Sequence, residues 1–292
     1  MYYLIVNPVA GRGRAQKVLE TVRQFFEREG LALEVLLTKA QGHATDLVKA
    51  LPEDAQVLSL GGDGTLHEIA AACVYTERIV GILPAGSGDD LAFALGINRH
   101  GVHTALEIIK RGKIRKIDTG SVNSQTFINS FGVGFDADVA YAVRTAPKPL
   151  REQSAYLYAI LTTLSKLKTI SVKVEIDEQL VFQGPALLVS TQNGPRTGGS
   201  FLFAPDAKPD DGVFEVLVAG EFGRLGTLGI LPKVMKGTHL GHPKVFAFRG
   251  KNIKLSWEKA RPGHMEGELL ALTDTFDIQV KSKSLWVFTP EL

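Results

Sequence analysis

Residues 1 to about 112 alternate between two patterns of apolar positions. Short apolar runs such as Tyr2–Val6, which ends in Asn7-Pro8, indicate buried strands. Between such runs, apolar residues recur at helical spacing, and Gly30 stands where the cap of a helix belongs. Strict alternation with short connections is typical of a doubly wound parallel sheet. The predicted strands are Tyr2–Val6, Leu31–Leu37, Val57–Leu60 and Ile79–Leu83, and the predicted helices contain Val18–Phe26, Leu47–Leu51, Ile69–Val74, Leu91–Leu95 and Thr104–Lys110.

After Gly112 the pattern changes to many short strands separated by turn signals. Lys116–Val122 and Gln125–Phe131 flank Asn123-Ser124, which is typical of a hairpin. The whole pattern favours an antiparallel β-sandwich. The further predicted strands are Ile170–Ile176, Leu180–Phe182, Ala186–Thr191, Val213–Val218, Val245–Phe248, Ile253–Trp257, Thr275–Val280 and Leu285–Phe288, and the predicted helices are Asp136–Arg144, Tyr156–Leu167 and Arg224–Met235.

The predicted fold class is therefore α/β plus β, in two domains. An α/β nucleotide-binding domain covers residues 1–115, and a β-rich domain covers residues 116–292, with its last strand able to return to the first domain. The length of 292 residues agrees with this division, because one domain usually takes about 150 residues.

Composition excludes several classes of protein. Thirty-three basic and 31 acidic side chains leave a net charge of only +2, so no nucleic-acid partner is expected. The single cysteine, Cys73, excludes an internal disulfide framework and a thiolate-rich zinc site. No apolar run approaches the ~18 residues of a membrane span, and Tyr2–Val6 lacks the features of a signal peptide. We therefore expect a cytoplasmic protein whose membrane contacts are peripheral and transient.

The motif Gly61-Gly62-Asp63-Gly64-Thr65 follows a predicted strand and opens a predicted helix. Its three glycines let the backbone approach an anion closely, and the start of the helix favours phosphate. Asp63 carries a hard oxygen ligand suited to Mg²⁺. A tight turn in which Asp63 only caps the helix explains the motif equally well when it is taken alone.

Two further loops change that balance. Pro84–Asp90 follows the next predicted strand, and Asn7–Gly13 follows the first one. Because parallel strands deliver their carboxyl-terminal loops to one edge of the sheet, all three loops are expected to meet there. The P-loop, dinucleotide and H-E-x-x-H zinc signatures are absent from the sequence.

Three acidic segments of the second half carry candidate chemistry. Asp136 follows a predicted strand and is expected to be a helix N-cap. Asp210-Asp211-Gly212 suits either a plain turn or a hard cation. Glu268 lies between predicted strands, where it is either a general base or a solvated side chain.

Taken together and in order, the motifs resemble the diacylglycerol kinase catalytic-domain family, whose more distant members include sphingosine and ceramide kinases. The resemblance implies ATP- and Mg²⁺-dependent phosphorylation of a lipid hydroxyl, most simply that of diacylglycerol or a related bacterial lipid. The glycine-Asp-glycine signature is also shared with NAD kinases and phosphofructokinases, whereas the C-terminal motifs are more specific. The matching segments are Gly61–Thr65 with Glu68, Pro84–Asp90, Asn129–Ala137, Asn193-Gly194, Gly198-Gly199, Ala204–Gly212 and Gly267-Glu268.

The resemblance also implies roles for individual residues. Asp63 and Asp90 fall on acids that organise catalytic Mg²⁺, and Glu268 falls on the proposed base; whether Asp63 or Glu268 takes the proton stays open. Asp138 aligns with an acid that holds the polar head of the lipid in sphingosine kinases. The implied ATP-binding positions are Asn7, Thr38, Gly61, Gly62, Gly64, Thr65, Gly86, Ser87 and Gly88, and the implied structural Mg²⁺ site is Asp211 with the carbonyls of Lys208 and Val213.

Two positions depart from the family pattern. Asp89 stands where Asn is usual, which adds negative charge beside the expected phosphates, and Glu266 stands where Asp is usual, which lengthens the reach of the acid. The alternatives left open are an NAD kinase-like enzyme and a nucleotide-binding regulator without activity. The sequence is compatible with a homodimer and does not choose the lipid. The basic residues expected to contact a membrane surface are Arg144, Lys148, Arg151, Lys233 and Lys236.

Overall fold

The computed structural model describes residues 1–97, 101–147 and 152–290. Its contacts divide the chain into two compact units. The first unit comprises Met1–Thr119, Pro209–Asp211 and Lys281–Leu292, and the second comprises Gly120–Lys208 and Gly212–Val280. Arg151 and Lys148, two of the basic residues expected at a membrane, lie outside the described residues.

The first unit alternates strands with helices, as the apolar pattern predicted. The strands Gln56–Gly61 and Ile79–Pro84 are almost wholly buried, because a parallel strand is covered on both faces. The elements are β1 (Tyr2–Val6), α1 (Arg14–Arg28), β2 (Leu33–Leu37), α2 (His43–Lys49), β3 (Gln56–Gly61), α3 (Asp63–Cys73), β4 (Ile79–Pro84), α4 (Asp90–Ala94), α5 (Gly101–Arg111) and β5 (Ile114–Val122), with a 3₁₀ turn over Ala10–Gly13.

All the pairings among β1 to β4 are parallel. Tyr2 lies opposite Leu33 of β2 on one side and opposite Gln56 of β3 on the other, and β3 pairs with β4. The last strand, β15 (Thr273–Phe288), adds a parallel pairing with β4, in which Trp286 lies opposite Ile79. The order is therefore β2-β1-β3-β4-β15.

The helices of this unit end and pack where the sequence indicates. On α1 the inward side chains Val22, Phe25 and Phe26 are buried. Gly30 follows the end of α1 with φ of +65°, a left-handed conformation that glycine adopts without penalty. α1 contacts α5, and α2 contacts α3.

The second unit is built on antiparallel strands. The elements are β6 (Gln125–Phe127), β7 (Ser130–Gly134), α6 (Phe135–Arg144), α7 (Glu152–Ser165), β8 (Ile170–Ile176), β9 (Gln179–Gln192), β10 (Phe214–Gly220), α8 (Arg224–Met235), β11 (Val245–Gly250), β12 (Asn252–Arg261), β13 (Gly263–Met265) and β14 (Glu268–Leu269). The strand order is β14-β13-β7-β9-β8-β12-β15, and β10 pairs with both β9 and β11.

Two apolar clusters hold the second unit together. One is centred on aromatic rings of the strands: Phe131 contacts Phe276 edge-on with ring centroids 4.9 Å apart, and Phe127 lies 5.2 Å from Phe214. The other lies between β9 and the inner faces of α6, α7 and α8, where Ile160 and similar side chains are buried. The combination of a parallel α/β unit with an antiparallel β unit confirms the predicted fold class.

Two predicted pairs of strands are single long strands in the structure. β9 runs through Gly184 and Pro185, and β15 runs through the polar residues 281–284. β8 stays paired with β9 through Gly184 and Pro185, so these residues do not end the strand. β15 changes its partner along its length, from antiparallel β12 up to Gln279 to parallel β4 at Trp286. In contrast, the predicted arm Gln125–Phe131 is two strands, which separate at Ile128 and Asn129. The predicted domain limit at 115–116 lies inside β5, which contributes to both units.

Candidate active site

The carboxyl ends of the parallel strands meet at one edge of the first unit. The N–H of Thr38 donates to the carbonyl of Val6 at 2.9 Å, and the N–H of Asn7 donates to that of Leu60 at 3.1 Å. Ala85, which follows β4, donates its N–H to the last residue of β3 at 3.2 Å. Each bond extends a strand pairing by one residue, so the loops after β1, β2, β3 and β4 begin at the same level.

A cavity of about 220 Å³ lies among these loops. It is lined in part by glycine backbone and by the first residues of α3, where the direction of the backbone N–H groups and the helix dipole favour an anion. Among the implied nucleotide-binding residues, Thr38, Gly61 and Gly88 belong to the same edge but not to the described lining. The lining residues are Asn7, Ala10, Gly11, Gly62, Asp63, Gly64, Thr65, Gly86 and Ser87.

The Asp63 carboxylate joins two of these loops. Its Oδ2 accepts the N–H of Asp89 at 3.0 Å, and its Oδ1 accepts the N–H of Asp90 at 2.8 Å. Because Asp90 is the first residue of α4, Asp63 satisfies backbone donors at the start of that helix. The sequence suggested only a metal ligand at Asp63. In the structure this carboxylate is half-buried, and its two bonds also hold the second glycine loop in place.

Two glycines permit this close approach. A Cβ at Gly88 would collide with Oδ2 of Asp63, and a Cβ at Gly86 would lie 2.7 Å from the Cα of Gly62. Both positions therefore require glycine for space rather than for an unusual backbone angle. The cavity between the loops depends on these contacts.

Asp89 has a structural role that the sequence did not reveal. It adopts a left-handed conformation with φ of +52°, and its Oδ1 accepts the N–H of Gly86 at 3.0 Å. The side-chain oxygen of Asn, usual at this position, would accept the same bond. The departure at Asp89 therefore preserves the shape of the loop.

Asn7 and Thr65 connect the first loop to α3. Nδ2 of Asn7 donates to Oγ1 of Thr65 at 3.0 Å, and Oδ1 of Asn7 accepts the N–H of Val9 at 3.2 Å. Both side chains border the cavity. Their bond fixes the orientation of the Thr65 hydroxyl relative to the glycine backbone.

Glu68 lies one turn further along α3 and acts on a neighbouring helix. Oε1 accepts the N–H of Gly42 at 2.8 Å, and Oε2 accepts the N–H of Ala44 at 3.1 Å. These donors lie at the start of α2, where backbone N–H groups lack partners within the helix. Glu68 therefore caps α2, which explains why an acid follows the glycine motif at this spacing.

In the second unit, Glu268 begins β14. Its Oε2 lies 3.2 Å from Nη1 of Arg144, at the end of α6, and both side chains are partly exposed. Asp138 lies on the first turns of the same helix and is exposed as a residue. Desolvation by the surrounding protein raises the pKa of the Asp138 carboxyl, and Arg261 opposes that shift. The roles implied for Glu268 and Asp138 stay predictions.

The predicted N-cap role of Asp136 is wrong. α6 begins at Phe135 after Gly134, which places Asp136 inside the first turn. There its Oδ2 lies 3.2 Å from Nε2 of His264, in a buried environment. No spacing in the sequence indicated this pair, because the two residues are far apart along the chain.

Glu266 also has a structural role that its sequence context did not reveal. Its Oε1 accepts the N–H of Ile128 at 2.8 Å and that of Asn129 at 2.7 Å. These bonds fasten the turn before Glu268 to the segment between β6 and β7. The longer side chain at this departure from the family pattern therefore serves as a backbone anchor.

The segment around Asp211 is a turn that enters and leaves the first unit. The N–H of Asp118 donates to the carbonyl of Pro209 at 2.6 Å, and Asp210 pairs with Arg115 at 2.8 Å. Asp211 itself is exposed. Within the described parts of the chain, no three acidic, histidine or cysteine side chains converge as metal ligands. The structural Mg²⁺ site of Asp211, Lys208 and Val213 therefore stays a prediction.

None of the helices described is long and apolar enough to cross a membrane. α7 and α8 are short helices that contact each other, with apolar residues on both inner and outer faces. Among the outer side chains, Leu157 is 58% exposed, Leu161 50% and Leu225 86%.

Two family models match the chain. The diacylglycerol kinase catalytic domain matches residues 1–122, and the YegS C-terminal NAD kinase beta sandwich-like domain matches residues 129–289. The two matches cover both halves of the sequence in the order that the resemblance predicted.

Individual proteins agree with these matches. A diacylglycerol kinase from Bacillus subtilis is 30% identical to the chain over 91% of its length and 88% of the relative. A solved diacylglycerol kinase from Bacillus anthracis is 22% identical with a TM-score of 0.72, over 99% of this chain and 96% of that one. An NAD kinase from Archaeoglobus fulgidus, solved in complex with ATP, is 13% identical with a TM-score of 0.54, over 100% and 94% of the two chains. The chain therefore belongs to the diacylglycerol kinase family of lipid kinases.

Proposed function

We propose that this protein transfers the γ-phosphate of ATP, in the presence of Mg²⁺, to the hydroxyl of diacylglycerol or a related lipid. The observation that carries the proposal is the cavity between the two glycine loops, whose shape depends on Asp63. Phosphoryl transfer requires little covalent chemistry from the protein, so positioning and charge neutralisation dominate. The cavity offers the groups that these two tasks need.

Backbone N–H groups at Gly62, Gly64 and Ser87 are the proposed contacts for the phosphates of ATP. Glycines at these positions let the main chain approach the oxygens, and the start of α3 adds positive potential. The ATP complex of the Archaeoglobus NAD kinase, which has a similar fold, supports ATP as the donor.

The acids Asp63 and Asp90 fit Mg²⁺ held through water and phosphate oxygens. Mg²⁺ sites in kinases commonly use one or two carboxylates together with substrate phosphates, so a cage of protein ligands is not required. When bound, Mg²⁺ would neutralise the charge that develops on the transferred phosphoryl group. Asp63 keeps a fixed orientation for this task, because two backbone N–H groups hold it.

Glu268 is the proposed acceptor of the proton from the lipid hydroxyl, with Asp63 as the rival. General base catalysis of this kind is worth about 10²–10⁴-fold. The proposal predicts that Glu268→Gln lowers kcat by about 10²-fold with near-normal ATP affinity. Normal turnover in that variant would transfer the role to Asp63.

A membrane surface is the proposed source of the lipid substrate. The outer apolar face, formed by Leu157 and Leu161 of α7 with Leu225 and Leu228 of α8, is exposed to solvent. Exposed lysines on or near α8, Lys233 and Lys236, provide charge that complements an anionic bilayer. This combination of apolar and basic side chains supports peripheral binding.

A phosphotransfer assay with radiolabelled ATP tests the function directly. The purified protein is incubated with diacylglycerol vesicles, with a bacterial lipid extract, or with NAD, each with and without Mg²⁺. Label in the lipid fraction that requires Mg²⁺ is the expected result. Label in NAD alone would favour an NAD kinase, and no label in any arm, with ATP still bound, would favour a regulator.

A further inference from the structure

We propose that Asp136 and His264 form a buried pair that positions the turn carrying Glu268. This inference rests on the proposed function, in which Glu268 is the base. Asp136 lies in the first turn of α6, and His264 lies in β13, four residues before Glu268 along the chain. The pair would therefore join the helix that carries Asp138 to the turn that carries Glu268.

The two side-chain atoms of the pair lie in close contact, although their approach lacks the angles of a hydrogen bond. Oδ2 of Asp136 lies 3.2 Å from Nε2 of His264, and the side chains are 11% and 5% exposed. Gly132 of β7 lies directly opposite His264 in the antiparallel register. A Cβ at Gly132 would collide with Oδ2 of Asp136 and would lie 2.8 Å from Nε2 of His264. The absence of a side chain at Gly132 thus creates the space in which the two groups meet.

His264 transmits this contact to the turn. Its Nδ1 accepts the N–H of Gly267 at 3.3 Å, so the ring proton is assigned to Nε2, on the side of Asp136. Gly267 immediately precedes Glu268. The carboxylate, the imidazole and the backbone N–H therefore form a chain of contacts that ends one residue before the proposed base.

A second contact joins the same helix to Glu268. Arg144, at the other end of α6, places Nη1 3.2 Å from Oε2 of Glu268. This outer contact is partly exposed and is expected to be weak. We infer that the buried pair at the start of α6 holds the turn in place, and that the Arg144 contact orients the Glu268 carboxylate.

A purely stabilising role explains these residues less well. Apolar side chains of similar volume often replace both partners of a buried polar pair with nearly equal or better stability. The turn is also anchored independently, since Glu266 accepts the N–H groups of Ile128 and Asn129. The pair additionally orients the backbone of Gly267, through the bond from its N–H to Nδ1 of His264. This orientation sets the position of Glu268, the next residue.

The test is a double-mutant cycle between His264 and Glu268. In His264→Leu we expect kcat to fall by about 10-fold or more, because small displacements of a catalytic group are costly, while KM for ATP changes by less than about twofold. In the Glu268→Gln background the same substitution is expected to change kcat by less than about twofold. Equal losses in both backgrounds would show a general structural effect and overturn the proposal.

Two further measurements keep the test independent of the catalytic assignment. Hydrogen exchange at the Gly267 amide is expected to accelerate in His264→Leu, and unchanged exchange would overturn the proposal. Asp136→Asn, which keeps a polar side chain of the same size beside Nε2, is expected to retain most activity, whereas Asp136→Ala is expected to lose it; equal activities would contradict the pairing. If Glu268→Gln alone leaves kcat unchanged, the assigned base fails, and the exchange result still reports on the pair.

His239→Gln serves as the matched control. His239 is equally buried in the same unit, and its Nε2 lies 3.0 Å from the carbonyl of Phe203, away from the turn. This variant is expected to lose stability without accelerating exchange at Gly267. Accelerated exchange in the control as well would mean that loss of any buried histidine loosens the turn, and would overturn the proposal.

Discussion

Oδ1 of Asp63 accepts the backbone N–H of Asp90 at 2.8 Å, so the carboxylate at the start of one helix caps the start of another. The two helices follow adjacent parallel strands, and the bond fixes the separation between their loops. A residue expected to organise Mg²⁺ is thereby also a part of the framework that shapes the cavity.

This dual role changes the expected behaviour of Asp63→Ala. We predict that phosphotransfer is abolished and that the free energy of unfolding falls by about 1–2 kcal/mol, because two backbone donors lose their acceptor. Denaturant unfolding and the radiolabel assay measure the two effects. Asp63→Asn, which keeps an acceptor, is expected to recover part of the stability but not the activity.

Asp54→Ala removes an exposed acid from the same unit and is the control for both measurements. It is expected to leave stability and activity unchanged. A folded Asp63→Ala protein with most of its activity would remove Asp63 from the proposed site.

Asp211 provides a test of the structural cation. If Asp211 binds Mg²⁺, the wild-type Tm rises with Mg²⁺ concentration by mass action, and Asp211→Ala flattens that rise. Thermal unfolding at a series of Mg²⁺ concentrations measures it. Asp210→Ala is the control: it breaks the ion pair with Arg115, so it is expected to lower Tm equally with and without Mg²⁺. If Tm depends on Mg²⁺ concentration in the same way for wild type and Asp211→Ala, Asp211 binds no structural cation and the segment is only a turn.

Binding to membranes is expected to depend on charge and on the outer apolar face. We predict sedimentation with anionic vesicles at low salt and release at high salt, because screening weakens surface electrostatics. Lys233→Gln is expected to weaken binding about fivefold, from about 1 kcal/mol per basic residue. Leu161→Ser is expected to weaken it at all salt concentrations. Lys49→Gln, which changes an exposed lysine of the first unit, is the control. Equal binding of the wild type to neutral and anionic vesicles would exclude an electrostatic contribution to membrane binding.

The lowered pKa of the Asp177 carboxyl leads us to expect a specific dependence of stability on pH. Backbone N–H groups of Asn252 and Lys251 donate to its carboxylate and hold the pKa below its ordinary value. A lowered folded-state pKa means that the stabilisation is complete above the unfolded-state value near 4 and is lost as the pH falls through the folded-state value. The stability difference between wild type and Asp177→Asn is therefore expected to shrink below about pH 4.

Unfolding transitions at neutral and acid pH measure this difference. Asp274→Asn, at an exposed position of the same unit, is the control and is expected to show no such convergence. A difference that stays constant from pH 7 to pH 3 would contradict the assignment of the hydrogen bonds to the ionised carboxylate.

The sequence predicted best what depends on local periodicity. β8 and α8 have the bounds that the apolar pattern indicated, and the convergence of the glycine loops follows from the parallel arrangement of their strands. Contacts between residues distant in sequence were not predictable in this way. The anchor at Glu266 and the pair of Asp136 with His264 depend on which backbone donors and side chains the antiparallel register brings together, and a single sequence carries no periodic signal for that.

The return of β15 to β4 has a consequence for biosynthesis. The ribosome completes β1 to β4 early, yet the parallel neighbour of Ile79 is Trp286, which emerges near the end of translation. Until then, one side of β4 presents unpaired backbone groups, a surface that invites pairing with other chains. Contacts of such large sequence separation also slow folding. Nascent chains halted before Trp286 are therefore expected to need chaperone protection that the completed protein does not.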